Sequence, residues 1–194
     1  MSPKLVLDRL IANWVYGGFL AAVLLLLLTP VITRTWSPSL VVTFLLLPVY
    51  MLHQYEEDDN DRFRKFLNQT IGRGKEVLSP WIVFMINVPG VWGVIGLSLW
   101  LAAFVNIGFA LIAVHLVLVN AIVHMVHSVI FRCYNPGLCT AILLFLPFGG
   151  YALLAVQRTG DGSAFMHATG LLVAVGIHGA ILAHVIRNRH IGNE

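Results

Sequence analysis

The sequence predicts an all-α fold, a polytopic transmembrane helix bundle of about six spanning helices with both termini in the cytoplasm. Three observations predict it: the composition, the apolar segments and the placement of basic residues. Of 194 residues, 58% are hydrophobic and 11% are charged, whereas soluble domains carry roughly 25% charged residues. A chain this poor in charge is suited to lipid, and its length predicts a single transmembrane domain over residues 1–194.

Six apolar segments approach the roughly 20 residues that one crossing of the hydrocarbon core requires. They are residues 11–33, 39–55, 81–103, 104–131, 138–156 and 163–186. The first segment is too long for a signal peptide and lacks a small-residue cleavage site, so we expect a spanning helix there. Only Asn106 and Gly108 interrupt residues 81–131. A single helix over that range would be about twice too long, so we expect two helices and a tight turn.

Basic residues fall mainly on one side of this six-helix arrangement. Ten lysines and arginines lie on the side of the N terminus, and only Arg34 and Arg158 lie on the opposite side. The positive-inside rule places both ends in the cytoplasm, and we expect a multi-pass protein of a bacterial-type cytoplasmic (inner) membrane. Because the basic residues are spread over several loops, we expect no nucleic-acid partner. Cys133 and Cys139 fall on the cytoplasmic side, where a disulfide is not expected.

The longest connection, residues 57–80, is predicted to be a cytoplasmic loop. Phe63, Phe66, Leu67 and Ile71 recur in it at helical spacing, next to basic residues. This pattern predicts a short helix that lies in the membrane interface. The alternative is a solvated connector with a few anchoring aromatic side chains.

Polar side chains inside membrane spans are costly, so each needs a partner or a function. Seven of them lie at a similar distance from the cytoplasmic ends of four helices: His53, Glu56 and Glu57 on the second, Asn87 on the third, Asn120 and His124 on the fourth, and His178 on the sixth. His53, Glu56 and Glu57 stand at i, i+3 and i+4 and share one helix face. We therefore expect a polar layer in the cytoplasmic half of the bundle. His127 shares the face of His124, but a helix-packing hydrogen bond explains it equally well.

Several of these residues belong to a longer ordered pattern. It consists of His53-Gln54-Tyr55-Glu56-Glu57, Ile86-Asn87-Val88 with Trp92, Asn120-Ala121-Ile122-Val123-His124, and Arg132-Cys133-Tyr134-Asn135-Pro136-Gly137 with Thr140 and Pro147. On these residues the chain resembles the HXXEE-domain integral membrane proteins over roughly residues 45–185. That family has no settled activity, so the resemblance supports the fold and the site and implies no reaction.

Histidine and carboxylate side chains at this spacing let one helix offer several ligands to a metal. The expected ligands of a divalent metal are His53, Glu56, Glu57, His124 and His178. Mixed nitrogen and oxygen ligands suit zinc, iron or manganese, and the sequence does not distinguish these metals. We expect Asn87 and Asn120 to orient the ligands, and whichever of Glu56 and Glu57 is not a ligand to act as general base.

Arg132 and Tyr134 follow the fourth helix at the predicted cytoplasmic mouth of the site. They could bind the phosphate or carboxylate head group of a substrate. The alternative is ordinary anchoring at the level of the lipid head groups. The segment Asn135-Pro136-Gly137 is a turn signal, and we interpret it as structural.

The polar layer favours a membrane-embedded, metal-dependent enzyme that acts on a lipid or another small apolar substrate from the inner leaflet. A hydrolase or transferase is favoured over a di-iron oxidoreductase. One alternative is a small transporter or proton-coupled carrier that uses the same residues, although residues 1–103 and 104–194 show no repeat. A second alternative is a non-catalytic membrane scaffold, in which the polar layer only joins helices.

Overall fold

The computed structural model describes residues 2–191, which are mainly helical and contain no strand. The helices are α1 (Pro3–Ile32), α2 (Pro38–Asp58), α3 (Arg62–Thr70), α4 (Pro80–Met85), α5 (Gly93–Phe104), α6 (Ala110–Phe131), α7 (Leu138–Thr140), α8 (Leu146–Gln157) and α9 (Ala164–Ile191). Six stretches of the described chain are long and apolar enough to cross a membrane. The predicted helical membrane bundle is therefore confirmed, whereas the cytoplasmic location of its termini stays a prediction.

Three of the helices begin at a Ser-Pro pair. The hydroxyls of Ser2, Ser37 and Ser79 accept hydrogen bonds from backbone N–H groups in the first turns of α1, α2 and α4. Serine is a favoured N-cap residue, and proline at the next position loses no intrahelical hydrogen bond. The sequence thereby fixes where these helices begin.

The tight turn predicted within residues 81–131 is confirmed between α5 and α6. Asn106 lies in it with extended backbone, and its side-chain oxygen accepts a hydrogen bond from Gly108 N at 2.7 Å. Its Nδ2 donates to Asp161 at 2.9 Å. The turn is thus held to the segment that precedes α9.

Helix α6 lies at the centre of the bundle and packs against α2, α5, α8 and α9. Its side chains Leu111, Leu116 and Val117 are fully buried in the main apolar core. By contrast, α1 lies at the periphery, where Leu27 and Val31 are 72% and 74% exposed. Such outward apolar surface is what a lipid-facing helix requires.

Two of the spanning stretches contain π-helical turns. One spans Ile86–Trp92 between α4 and α5, and the other spans Ala141–Phe145 between α7 and α8. Pro89 lies inside the first and Pro147 follows the second. Proline removes an intrahelical hydrogen bond, and π-turns are frequent at functional sites.

Helix α3 and the segment after it fold against the end of the bundle. Leu67, Val77, Leu78, Val83 and Val185 form a second, smaller apolar core there. The location of α3 in a membrane interface stays a prediction. Because α3 belongs to this core, the segment 57–80 covers one end of the helices that carry the polar residues.

Candidate metal centre

Three of the predicted site residues converge in the interior of the bundle. His53 Nε2 lies 3.5 Å from Glu57 Oε2, and His124 Nε2 lies 3.4 Å from Glu57 Oε1. The ligand atoms of the three residues lie within 4.8 Å of one another. All three residues are buried, with 0% exposure for His53, 6% for Glu57 and 1% for His124. One turn of α2 brings His53 and Glu57 together, and α6 supplies His124.

Hydrogen bonds fix the His53 ring and leave one nitrogen available. His53 Nδ1 lies 2.8 Å from Thr140 Oγ1, and that hydroxyl donates to Glu56 Oε2 at 2.5 Å. Because the hydroxyl proton is used on the carboxylate, His53 Nδ1–H is the donor to Thr140. The lone pair therefore lies on Nε2, a buried atom that has no hydrogen-bond partner within the described chain.

Asn135 holds the His124 ring in the same way. Asn135 Oδ1 lies 2.6 Å from His124 Nδ1, and Asn135 Nδ2 donates to the backbone oxygen of His124 at 2.9 Å. The second bond determines which end of the amide faces the ring. An amide oxygen only accepts, so His124 Nδ1 carries the proton and the lone pair lies on Nε2. Both imidazoles are thus oriented by hydrogen bonds at Nδ1, as metal-binding histidines commonly are at the nitrogen that does not hold the metal.

The donor set suits a divalent metal. Two neutral imidazole nitrogens and one carboxylate match the preferences of zinc, iron and manganese. Three protein ligands leave coordination positions open, which is the arrangement of catalytic metal sites. The buried, unpaired Nε2 of His53 supports this assignment, because polar atoms inside a membrane protein are otherwise costly.

Glu56 is not brought to the three-residue cluster, although we predicted it as a ligand or base. Its carboxylate accepts hydrogen bonds from Tyr134 Oη at 2.7 Å, from Cys139 N at 3.1 Å, and from Thr140 N at 2.7 Å in addition to the Thr140 hydroxyl. Partial burial and the bond to Glu56 raise the pKa of Tyr134 to about 12, so the phenol remains a donor. Glu56 therefore joins the last turn of α2 to the start of α7.

Gly137 lies against both histidine rings. Its φ of +96° is a conformation that favours glycine. A Cβ at this position would lie 2.6 Å from Cε1 of His124 and 2.9 Å from Cε1 of His53. The segment that we predicted as a structural turn therefore also covers the candidate metal centre.

An apolar cavity of about 560 Å³ adjoins the cluster. Glu57 and His124 form part of its wall, together with apolar side chains from α3, α4, α6 and α9. Among its lining residues, Ile122 and Val175 are 51% and 53% exposed on the outside of the bundle. The cavity is therefore open at the side of the helices, where a membrane protein faces lipid.

The remaining polar residues of the predicted layer line the same cavity, namely Asn87, Asn120, His127 and His178. Asn87 Oδ1 accepts a hydrogen bond from Gln54 at 2.8 Å and its Nδ2 donates to the Val83 backbone oxygen, so its hydrogen bonds go to neither histidine of the cluster. His178 Nδ1 lies 2.8 Å from the backbone oxygen of Ala174, and the residue lies outside the group of three ligands. Five of the seven residues of the predicted layer thus line one cavity, and His53 and Glu56 are not among its lining residues.

The two predicted head-group residues, Arg132 and Tyr134, are not among the residues that line the cavity. Arg132 ends α6 with a φ of +51°, and Tyr134 is engaged with Glu56. A role for Arg132 in binding a substrate stays a prediction. Sequence reasoning missed Asn135 and Thr140 as residues that orient the ligands, although both stand in the pattern that carries the family resemblance.

The comparisons with known proteins agree with this pattern. A family model described as "Protein of unknown function with HXXEE motif" matches residues 44–152. The matched range is more than half of the chain, and it contains all three residues of the cluster. No curated protein and no solved structure matches the chain.

Proposed function

We propose that this chain, which belongs to the HXXEE family, is a metal-dependent membrane enzyme that acts on a lipid-like substrate. One observation carries the proposal. His53, Glu57 and His124 bring their ligand atoms within 4.8 Å of one another, and Glu57 and His124 also line an apolar cavity that opens at the side of the bundle. The candidate metal centre supplies the chemistry, and the cavity supplies the binding site.

The hydrogen bonds around the cluster favour metal binding over a purely structural role. A polar group that only joins helices needs a partner for each of its buried atoms. Here the Nδ1 atoms of both imidazoles are hydrogen-bonded, to Thr140 and Asn135, and both Nε2 atoms face the Glu57 carboxylate. Such an arrangement leaves three ligand atoms for a cation.

The cavity favours a substrate that arrives from the bilayer. Its volume lies within the range of about 300–1,000 Å³ that is typical of small-molecule sites. Its lining is mainly apolar, and exposed side chains such as Ile122 and Val175 form its lateral rim. An acyl chain or another apolar group would exchange lipid for apolar protein surface there at little cost.

A bound divalent cation would supply a Lewis acid beside the substrate. His53 and His124 would hold it through their Nε2 atoms, while Thr140 and Asn135 keep the two rings in place. Glu57 has two carboxylate oxygens, and each faces one histidine. The oxygen that does not hold the cation is placed to accept a proton from an attacking water or hydroxyl group. This division of roles favours hydrolysis or group transfer.

Metal content tests the proposal directly. Untagged protein is purified in detergent, and its zinc, iron and manganese are measured by mass spectrometry beside His53→Ala and Glu57→Gln. The control is His115→Ala, because His115 lies on α6 like His124 but pairs with His167 at 3.1 Å, outside the cluster. We expect a single equivalent of metal in the wild type and the control, and its loss in the two site variants.

Activity is then tested on lipid extracts. Wild-type protein and Glu57→Gln are incubated with total membrane lipid, and the products are compared by mass spectrometry. Products that depend on Glu57 are the expected result. A folded wild type that holds no metal, even after titration with each of the three cations, would overturn the proposal.

A further inference from the structure

Tyr50 and Asn120 form a second polar unit in the wall of the cavity. Asn120 Nδ2 donates a hydrogen bond to Tyr50 Oη at 2.9 Å, which joins α6 to α2. Tyr50 is 2% exposed and Asn120 is 8% exposed. The Tyr50 ring packs edge-on against the His53 ring, with 5.7 Å between their centroids. The pair therefore lies beside the candidate metal centre and faces the same cavity.

The pair has an unused acceptor and a hydroxyl proton that the bond between the two residues does not use. Asn120 Oδ1 is buried and has no hydrogen-bond partner within the described chain. Tyr50 Oη accepts from Asn120, so its own hydroxyl proton is not used in that bond. A bond that only joined two helices would not need a buried amide oxygen left open. An unpaired buried acceptor is unfavourable unless a ligand completes it.

We infer that Tyr50 and Asn120 recognise a substrate whose polar group both accepts and donates a hydrogen bond, at the end of an apolar chain. The Tyr50 hydroxyl donates to the oxygen of that group, and Asn120 Oδ1 accepts from its N–H or O–H. Carboxamides and alcohols have this chemistry. An ester has only the acceptor and leaves Asn120 Oδ1 unpaired. The inference rests on the proposed function, in which the metal centre acts on the bound substrate. The binding of that substrate by Tyr50 and Asn120 itself requires no metal.

The test measures binding to metal-free protein, so that it does not depend on catalysis. Three ligands with the same dodecyl chain are compared in detergent by calorimetry: the primary amide, the alcohol and the methyl ester. In the wild type, we expect the amide and the alcohol to bind about tenfold more tightly than the ester, because one buried acceptor stays unpaired with the ester. Whichever of the amide and the alcohol binds more tightly identifies the substrate class.

Two variants separate the contributions of the pair. Asn120→Leu removes the acceptor and should abolish the preference over the ester. Tyr50→Phe removes the donor and should weaken all three ligands while keeping that preference. Asn13→Leu is the control, because Asn13 lies on α1 and donates to the Arg9 backbone oxygen. Its affinities should match those of the wild type.

The wild-type comparison alone can overturn the inference. Equal affinity for the three ligands, or no binding of any of them, would contradict it without a variant that must fold. A preference that persists in folded Asn120→Leu would contradict it as well. Metal content is a separate measurement, so a failure of the metal proposal is distinguishable from a failure of this one.

Discussion

Asn135 holds His124 at two points, with its Oδ1 on the imidazole Nδ1 and its Nδ2 on the backbone oxygen of the same residue. The two bonds fix both the rotation of the ring and the nitrogen that carries its proton. If the proposed metal centre binds a cation, His124 is therefore oriented to bind it before it arrives.

Replacing Asn135 with alanine should weaken metal binding without removing a ligand. Loss of a partner that orients a metal-binding histidine commonly costs about 10- to 100-fold in affinity. The dissociation constant for zinc is measured by competition with a chromophoric chelator, with Asn13→Ala as the control. Unchanged affinity in Asn135→Ala would show that the bond does not orient the ring.

Thr140 makes the corresponding contact to His53, so Thr140→Val should also weaken metal binding. Valine has a similar shape but leaves His53 Nδ1–H without its acceptor. We expect a loss of at least about tenfold in zinc affinity, and recovery in Thr140→Ser, which restores the hydroxyl. The same chelator competition measures it. Equal affinities in the valine and serine variants would contradict the role assigned to this hydroxyl.

Glu56 and Glu57 should respond differently to the same substitution. Glu57→Gln removes a proposed ligand and should abolish metal binding, whereas Glu56→Gln should retain the metal. The glutamine amide in Glu56→Gln cannot accept from every present donor, but these donors are exposed or part-buried, so we expect only a modest fall in Tm. Metal content and Tm are measured for both variants. Metal loss in a well-folded Glu56→Gln would restore Glu56 to the ligand set.

Gly137→Ala should disturb both histidines at once. The added methyl group meets the two rings, and the left-handed conformation costs a non-glycine residue about 1–2 kcal/mol. We expect a lower Tm and loss of metal. Gly150→Ala is the matched control, because an added Cβ there meets nothing within 4 Å. A Gly137→Ala variant with the Tm and metal content of the control would be inconsistent with the close approach of Gly137 to the His53 and His124 rings.

The cytoplasmic location of the site can be tested through the two native cysteines. Cys133 and Cys139 are free and exposed, and the predicted topology places them on the cytoplasmic side. A membrane-impermeant maleimide should label them in inverted vesicles and not in intact cells. A variant with both cysteines replaced and Thr35→Cys added is the control, and it should show the opposite pattern. Labelling of the native cysteines from outside would reverse the orientation.

The sequence was sufficient to predict the six spans, and the three clustered residues are among the five metal ligands that it predicts. His53 and Glu57 share a face of α2, and an inward position on α6 suffices for His124. The separate roles of Glu56 and Glu57 were not predictable. Successive helical residues differ by about 100°, so His53 has one carboxylate on either side of it. Only the neighbouring α6 and α7 determine which carboxylate meets which partner.

Asn135 and Thr140 could not be assigned for a related reason. A turn pattern indicates the local backbone, but it does not indicate which distant side chain the turn will contact. The bond from Thr140 to Glu56 joins residues 84 positions apart. Such a contact follows from packing between helices, which spacing along the chain does not encode.

The order of the chain has a consequence for how the protein matures in the cell. His53, Glu57 and His124 all precede residue 135, whereas the groups that fix both rings come from Asn135 and Thr140. A growing polypeptide that has inserted only its first four spans would contain every ligand and nothing to orient them. On the proposed function, stable acquisition of a cation is therefore expected only after the fifth span has entered the membrane, late in biogenesis.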